Sequence, residues 1–136
     1  MVRKELLLKI NGFNENIKMA PCADYNTWLK ISKLTDQFLY LPKRLGYYFI
    51  HDQSISQKNM SQSYRFATYK FLSVLDNSQK KKLEANIKYI SGRFNYLNLN
   101  YKQAKKDLLF VLRSSSFKLR LKSLFMIAHI VISYKK

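Results

Sequence analysis

Apolar positions recur with a helical period over the second part of the chain, and the pattern changes near residue 56. From residue 57 onward there is no proline, and the spacing of apolar residues predicts four helices. The predicted helices cover residues 57–75, 78–97, 101–113 and 117–133. The connections are rich in Asp, Asn and Ser, which are residues that cap helices well. The second part therefore predicts a helical unit over residues 57–136.

Residues 1–56 instead show short apolar runs separated by turn residues, and they contain both prolines. A short helix is predicted over residues 3–10, ending at Asn11-Gly12, and a second over residues 25–34 with Asp24 as its N-cap. The runs FLYLP and LGYYFI, at 38–42 and 45–50, predict two short strands at the edge of a sheet. The expected fold is therefore mainly α with a small β part.

The charge balance is strongly basic, with 25 Lys and Arg against 8 Asp and Glu and a net charge of +17. This surplus favours either an anionic partner or a lysine-rich solvated surface, and composition leaves both open. Cys22 is the only cysteine, which excludes a disulfide within the chain and favours a reducing compartment. Neither a signal peptide nor an apolar run of about 20 residues is present. We expect a cytoplasmic protein, either free or peripheral at the inner face of the membrane.

Three segments of the first part carry a family resemblance when they are taken in order. They read VRKELLLKINGFNEN, ADYNTWLKI and FLYLPKRLGYYFIHDQSIS. A helix leads to the turn NGFNE, a second helix carries Trp28-Leu29, and two apolar runs lead to His51, Ser54 and Ser56. This order and spacing resembles the C-terminal end of the catalytic domain in family 2 glycosyltransferases.

The resemblance implies a fragment of a GT-A α/β domain followed by a four-helix tail. It also implies inverting transfer of a sugar from a nucleotide-diphosphate sugar to a glycan or lipid-linked acceptor in surface polysaccharide assembly. Asp24 corresponds to the base that takes the proton of the acceptor hydroxyl, although Ala23 replaces the acidic residue usual before it. His51 corresponds to a residue near the diphosphate, with Trp28 and Ser54 on the substrate side. From the residues alone, Asp24 is equally a helix cap and His51 a surface residue.

The donor half of such an enzyme is missing from this sequence. There is no Asp-x-Asp element and no glycine-rich phosphate loop. A complete enzyme of the family would use a divalent metal, Mg or Mn, together with the nucleotide-diphosphate sugar, and this chain alone is expected to hold neither. We therefore expect a truncated or split transferase, inactive alone, for which another chain supplies the N-terminal half.

The helical tail adds two further expectations. Residues 86–112 resemble one tetratricopeptide-like hairpin, in which the small residues Gly92 and Ala104 allow two helices to approach closely. The last helix is apolar with Lys118, Arg120 and Lys122 beside it, so it either docks on the core or lies on an acidic membrane surface. The alternative function is therefore a basic helical module that binds a membrane surface or nucleic acid. No helix-turn-helix, RNP-like or zinc-finger signature supports the nucleic-acid version.

Overall fold

The computed structural model describes residues 2–47, 49, 51, 54, 57–114 and 116–133. The α-helices in this part are α1 (Lys4–Lys9), α2 (Ala23–Ser32), α3 (Ser61–Thr68), α4 (Asn77–Leu97), α5 (Tyr101–Ser114) and α6 (Phe117–Ser133). A 3-10 helix at Ala20–Cys22 leads into α2, and another at Tyr69–Val74 continues α3. None of the described helices is long and apolar enough to cross a membrane.

The predicted β part is wrong, because no strand forms in the described ranges and the architecture is helical. A GT-A α/β fragment is therefore not supported. Residues 38–42 are irregular, and the second predicted strand, 45–50, lies partly outside the described residues. Leu39, Tyr40 and Tyr47 are 85%, 84% and 105% exposed. A strand needs a neighbouring strand to satisfy its N–H and C=O groups, and the described chain offers none here.

The two helices predicted in the first part form with shifted ends. α1 is one residue shorter at each end, and its predicted stop is confirmed, because the Gly12 N–H donates to the Leu7 carbonyl at 2.8 Å. Asn11 and Gly12 have φ of 57° and 66°, a conformation that glycine and asparagine tolerate. α2 begins earlier than predicted, with Cys22 at its N-cap position. The prediction that Asp24 caps this helix is therefore wrong.

In the second part the predicted helices are largely confirmed. α6 has the predicted bounds, and α5 is one residue longer than predicted. α4 begins after Asp76, which forms a capping box with Gln79: the Gln79 N–H donates to Asp76 Oδ1 at 2.8 Å, and the Asp76 N–H donates to Gln79 Oε1 at 2.9 Å. The long first helix is replaced by α3 and the 3-10 helix that follows it. The predicted domain boundary at residues 56 and 57 stays a prediction.

α2 and α3 pack through a small core built around Cys22 and Ala67. The Asn26 Nδ2 group donates a buried hydrogen bond of 2.7 Å to the Ala67 carbonyl. Next to it, the Tyr25 and Tyr64 rings stack with centroids 4.8 Å apart, and their hydroxyls are 3.0 Å apart. These contacts hold α2 against α3, while Asp24 and Trp28 of α2 stay exposed.

α4, α5 and α6 form the larger helical unit, with a core around Ala104, Leu108 and Ile130. At the α4–α5 contact, a Cβ added to Gly92 would lie 2.9 Å from the Leu108 Cγ. The expected close approach is therefore confirmed at Gly92, and Ala104 is fully buried in the same core. α4 also meets α3 through an exposed ion pair between Arg65 and Glu84, at 2.8 Å.

Candidate functional site

Asp24 and Trp28 lie one turn apart on α2, on a side of the helix that reaches solvent. Asp24 is in the first turn, where a carboxylate interacts favourably with the helix dipole. Its Oδ1 accepts the Tyr25 N–H at 2.7 Å, and its Oδ2 has no hydrogen-bond partner within the described ranges. Trp28 is 45% exposed. The structure therefore brings together one carboxylate and one aromatic ring of the four site residues expected from the sequence.

A groove of about 630 Å³ opens beside Trp28, between α1, α2 and the segment that follows α2. Its apolar lining includes Trp28, Phe38 and the buried Ile31. Its polar lining includes Glu5 and Lys9 of α1, with further polar side chains at Arg3, Thr35 and Gln37. A concave surface that combines aromatic side chains with several polar groups can hold a small polar ligand. Asp24 does not line this groove; it lies one turn of α2 away from Trp28.

A lysine on α2 contacts the end of α1. The Lys30 Nζ donates to the carbonyl oxygens of Ile10 at 3.3 Å and Gly12 at 3.5 Å. These are carbonyls at the C-terminus of α1, where a cation is favourable. The contact is weak by its lengths, and it joins the end of α1 to α2.

His51 and Ser54 lie together in a separate turn. The His51 N–H donates to Ser54 Oγ at 3.0 Å, and the Ser54 N–H donates to the His51 carbonyl at 2.9 Å. Ser54 is buried, and the exposed His51 ring stacks on Phe49 with centroids 6.0 Å apart. Among the described residues, no hydrogen bond or ring contact links this turn to α2. The expected substrate-side roles of His51 and Ser54 stay predictions.

The Tyr25–Tyr64 pair that supports α2 was not predicted from the sequence. Burial, and then the hydrogen bond with Tyr25, raise the pKa of Tyr64 far above its ordinary value. Burial also raises the pKa of the neighbouring Cys22 thiol, and the nearby charge of Asp24 adds to this effect. Cys22 is 3% exposed, so it is a packed thiol and not a nucleophile available to solvent.

The strongest polar cluster lies elsewhere, between α4 and α5. Asp107 is 1% exposed and accepts from Ser91 Oγ at 2.7 Å, Lys88 Nζ at 3.0 Å and Gln103 Nε2 at 3.1 Å. Burial alone would raise the pKa of Asp107, but the three donors and the Lys88 charge outweigh it and hold that pKa below its ordinary value. Both carboxylate oxygens of Asp107 accept hydrogen bonds from protein groups, which marks the cluster as a structural link between the helices.

A metal site like that of a complete family 2 enzyme does not fit the residues described. No group of three or more His, Cys, Asp or Glu side chains converges in the described ranges. Asp24 has an alanine before it, at Ala23, and Glu5, which lines the groove, is on α1.

Two residues of the groove were not singled out from the sequence, although a signal existed. Glu5 and Lys9 are four residues apart in a predicted helix, so they share one face. That spacing could have placed a polar pair beside the next element. Whether this pair lies beside Trp28 depends on how the chain between α1 and α2 folds. The spacing of residues within α1 carries no information about that.

No known family model, curated protein or solved structure matches this chain.

Proposed function

We propose that this chain is the acceptor-side part of a sugar transferase related to family 2 glycosyltransferases, and that it is inactive without a donor-binding part. The observation that supports the proposal is the exposed pair Asp24 and Trp28 on α2, beside the groove between α1 and α2. The order of sequence motifs over residues 2–56 supports it independently. Because the described part of residues 2–56 forms helices and no strand, the proposal rests on side chains of α1, α2 and the segment after α2 and not on a sheet.

The groove has the chemistry that a neutral sugar requires. The C–H faces of a sugar ring pack on an aromatic surface, which Trp28 and Phe38 provide. Sugar hydroxyls need both donors and acceptors, and Lys9 and Glu5 supply one of each along α1. In this proposal the groove holds an acceptor glycan and not the nucleotide, whose diphosphate would need a phosphate-binding element.

Asp24 would act at the end of that glycan. Its free Oδ2 accepts the proton of the attacking hydroxyl while the hydroxyl oxygen bonds to the anomeric carbon and the nucleotide diphosphate leaves. The opposite side of α2 docks on α3 through Tyr25 and Asn26, which keeps the helix rigid behind the carboxylate. Such support is what a positioned general base needs. His51 and Ser54 remain candidates for the side that meets the donor.

Binding of neutral oligosaccharides tests the acceptor site. Neutral probes are required because a chain of charge +17 attracts any anion without specificity. Saturation-transfer NMR with cello-, malto- and chito-oligosaccharides is expected to show contact with at least one of them. Phe38→Ala is expected to weaken that binding roughly tenfold, since an aromatic surface is lost. The control Tyr47→Ala removes an exposed ring outside the groove and should change nothing. Equal effects of both variants, or contact with no sugar, would refute the acceptor site.

One observation favours the alternative function, a basic module for nucleic acid. Exposed rings at Tyr40, Tyr47 and Phe49 stand near Lys43 and Arg44 in the irregular segment after α2. Interleaved rings and cations are what single-stranded nucleic acid contacts. Binding of a thymidine oligonucleotide that persists at about 0.15 M salt and is lost in Tyr47→Ala would favour this function. The same Tyr47→Ala variant leaves sugar binding intact in the first proposal, so one variant separates the two.

A further inference from the structure

α6 is apolar on two opposite sides, and only one of them packs against other described helices. Its inner side packs on α4 and α5, with Ser123 and Ile130 fully buried and Met126 and Ile127 partly buried. The opposite side, here called the outer face of α6, is 40% to 80% exposed. Its members are Phe117, Leu121, Leu124, Phe125, Val131 and Ile132.

The outer face is a continuous stripe and not a scatter of single residues. Phe117 lies four residues before Leu121, Leu121 lies three and four residues before Leu124 and Phe125, and Ile132 continues the row two turns later. The stripe therefore runs the length of the helix. A surface helix in a globular protein normally turns its polar side to water, so a contiguous apolar face of this length marks an interaction surface.

Cationic side chains border this stripe. Lys118, Arg120 and Lys122 are exposed on the first turns of α6, and the helix contains no acidic residue. At the other end of the stripe, Val131 also lines a groove of about 660 Å³ between α5 and α6. Lysines of α5 stand along that groove, at positions 102, 105 and 106. Apolar and cationic surface are thus continuous from α6 onto α5.

The combination of apolar and cationic surface favours one kind of binding partner for the outer face of α6 over the others. A second copy of the chain would bring a further charge of +17 against the same lysines, which opposes self-association. The centre of a protein–protein interface is depleted in lysine, whereas interfacial helices on membranes combine Phe and Leu on one side with Lys and Arg beside them. Acidic lipid headgroups supply the negative charge that Lys118, Lys122 and the α5 lysines lack within the described chain.

We propose that the outer face of α6 binds the surface of a bilayer that contains acidic lipid. The helix lies in the plane of the interface, with Phe117, Leu121 and Phe125 among the acyl chains near the headgroups. Lys118 and Lys122 contact lipid phosphates and carboxylates beside it. The proposal stands on α5 and α6 alone, so it holds or fails independently of the sugar site on α2.

Sedimentation of the full chain with vesicles tests the apolar part. Vesicles of phosphatidylcholine alone are compared with vesicles that contain one third phosphatidylserine, at about 0.15 M salt. The chain is expected to bind the acidic vesicles. The double variant Leu124→Gln with Phe125→Gln should weaken binding at least roughly tenfold, because it removes the inserted side chains. The control, Ile17→Gln with Leu39→Gln, changes two apolar residues outside α6 that are even more exposed, and it should bind as before. Circular dichroism confirms that each variant is folded.

Two further double variants, which have the same net charge as each other, test the contribution of the lysines. Lys118→Gln with Lys122→Gln is expected to weaken binding to acidic vesicles at least roughly tenfold, given the contribution of each lysine near a membrane. Lys81→Gln with Lys82→Gln removes the same charge from exposed positions on α4 and should have a much smaller effect.

Four outcomes overturn the proposal. Failure to bind acidic vesicles would do so, as would equal binding by the Leu124 and Phe125 variant. A dimer that light scattering detects, and that this same variant abolishes, would instead make a second copy the occupant. Equal losses from the two lysine pairs would show attraction by net charge and not by this face.

Discussion

Replacing Asp107 with asparagine is the sharpest test of how the larger helical unit holds together. The substitution keeps the size of the side chain but removes the charge that Lys88, Ser91 and Gln103 all contact. The asparagine amide also carries an NH₂ group, which is itself a donor and would face the donor groups around position 107. The variant therefore loses at least one charge-assisted bond and leaves a buried donor without an acceptor.

The magnitude follows from the exposure of the partners. Breaking a fully buried ion pair costs about 3–5 kcal/mol. The Lys88 side chain is 34% exposed and can turn to water, so the cost for Asp107→Asn should lie lower, at about 2–3 kcal/mol. The matched control is Glu84→Gln, which breaks the exposed pair with Arg65 and should cost about 0.5 kcal/mol. Urea unfolding followed by circular dichroism measures both at pH 7.

The pH dependence provides the second half of this test. Because the pKa of Asp107 is lower in the folded chain than in the unfolded one, its contribution is fully present above the unfolded pKa of about 4. It disappears as the pH falls through the lower, folded pKa. The gap in stability between the wild type and Asp107→Asn should therefore narrow below about pH 4. A gap no larger than that of Glu84→Gln, or one that does not narrow in acid, would refute the reasoning.

Three smaller predictions concern packing. Gly92→Ala should lower the free energy of unfolding by about 1–3 kcal/mol in urea, since its Cβ would meet the Leu108 Cγ at 2.9 Å; an unchanged midpoint would show that the helices can separate. Ser123→Ala should raise that free energy by up to about 1 kcal/mol, because the Ser123 hydroxyl is buried without a hydrogen-bond partner; a loss on thermal unfolding would mean that it has one. The Cys22 thiol should react with a disulfide reagent roughly 100-fold more slowly in the folded chain than in guanidinium, and equal rates would contradict its burial.

The helices of the second part were predictable because their signals are local. α6 has an apolar period without breakers, and the Asp76 to Gln79 spacing is a capping signature in the sequence itself. The β part could not be predicted in this way, because a strand depends on a partner strand elsewhere in the chain. FLYLP has the composition of a strand, yet without a neighbour its residues stay irregular and exposed.

In the candidate site, too, local spacing could be predicted from the sequence and long-range contacts could not. The one-turn spacing of Asp24 and Trp28 could be read from the sequence, and α2 keeps it. The stacking of Tyr25 on Tyr64 joins residues 39 positions apart, for which no periodic signal exists. Asp107 did carry a signal, since it shares the helical period of the apolar residues around it and is the only acid among several lysines of α5.

The fluorescence of Trp28 tests the central claim most directly, because it is the only tryptophan in the chain and it lines the proposed acceptor groove. Titration with the neutral oligosaccharide that gives the strongest NMR contact is the measurement. The account predicts a saturable change in emission that reports binding at this ring, with weaker affinity in Phe38→Ala and unchanged affinity in Tyr47→Ala. Emission that stays constant while the sugar binds elsewhere on the chain would contradict the proposed site on α2.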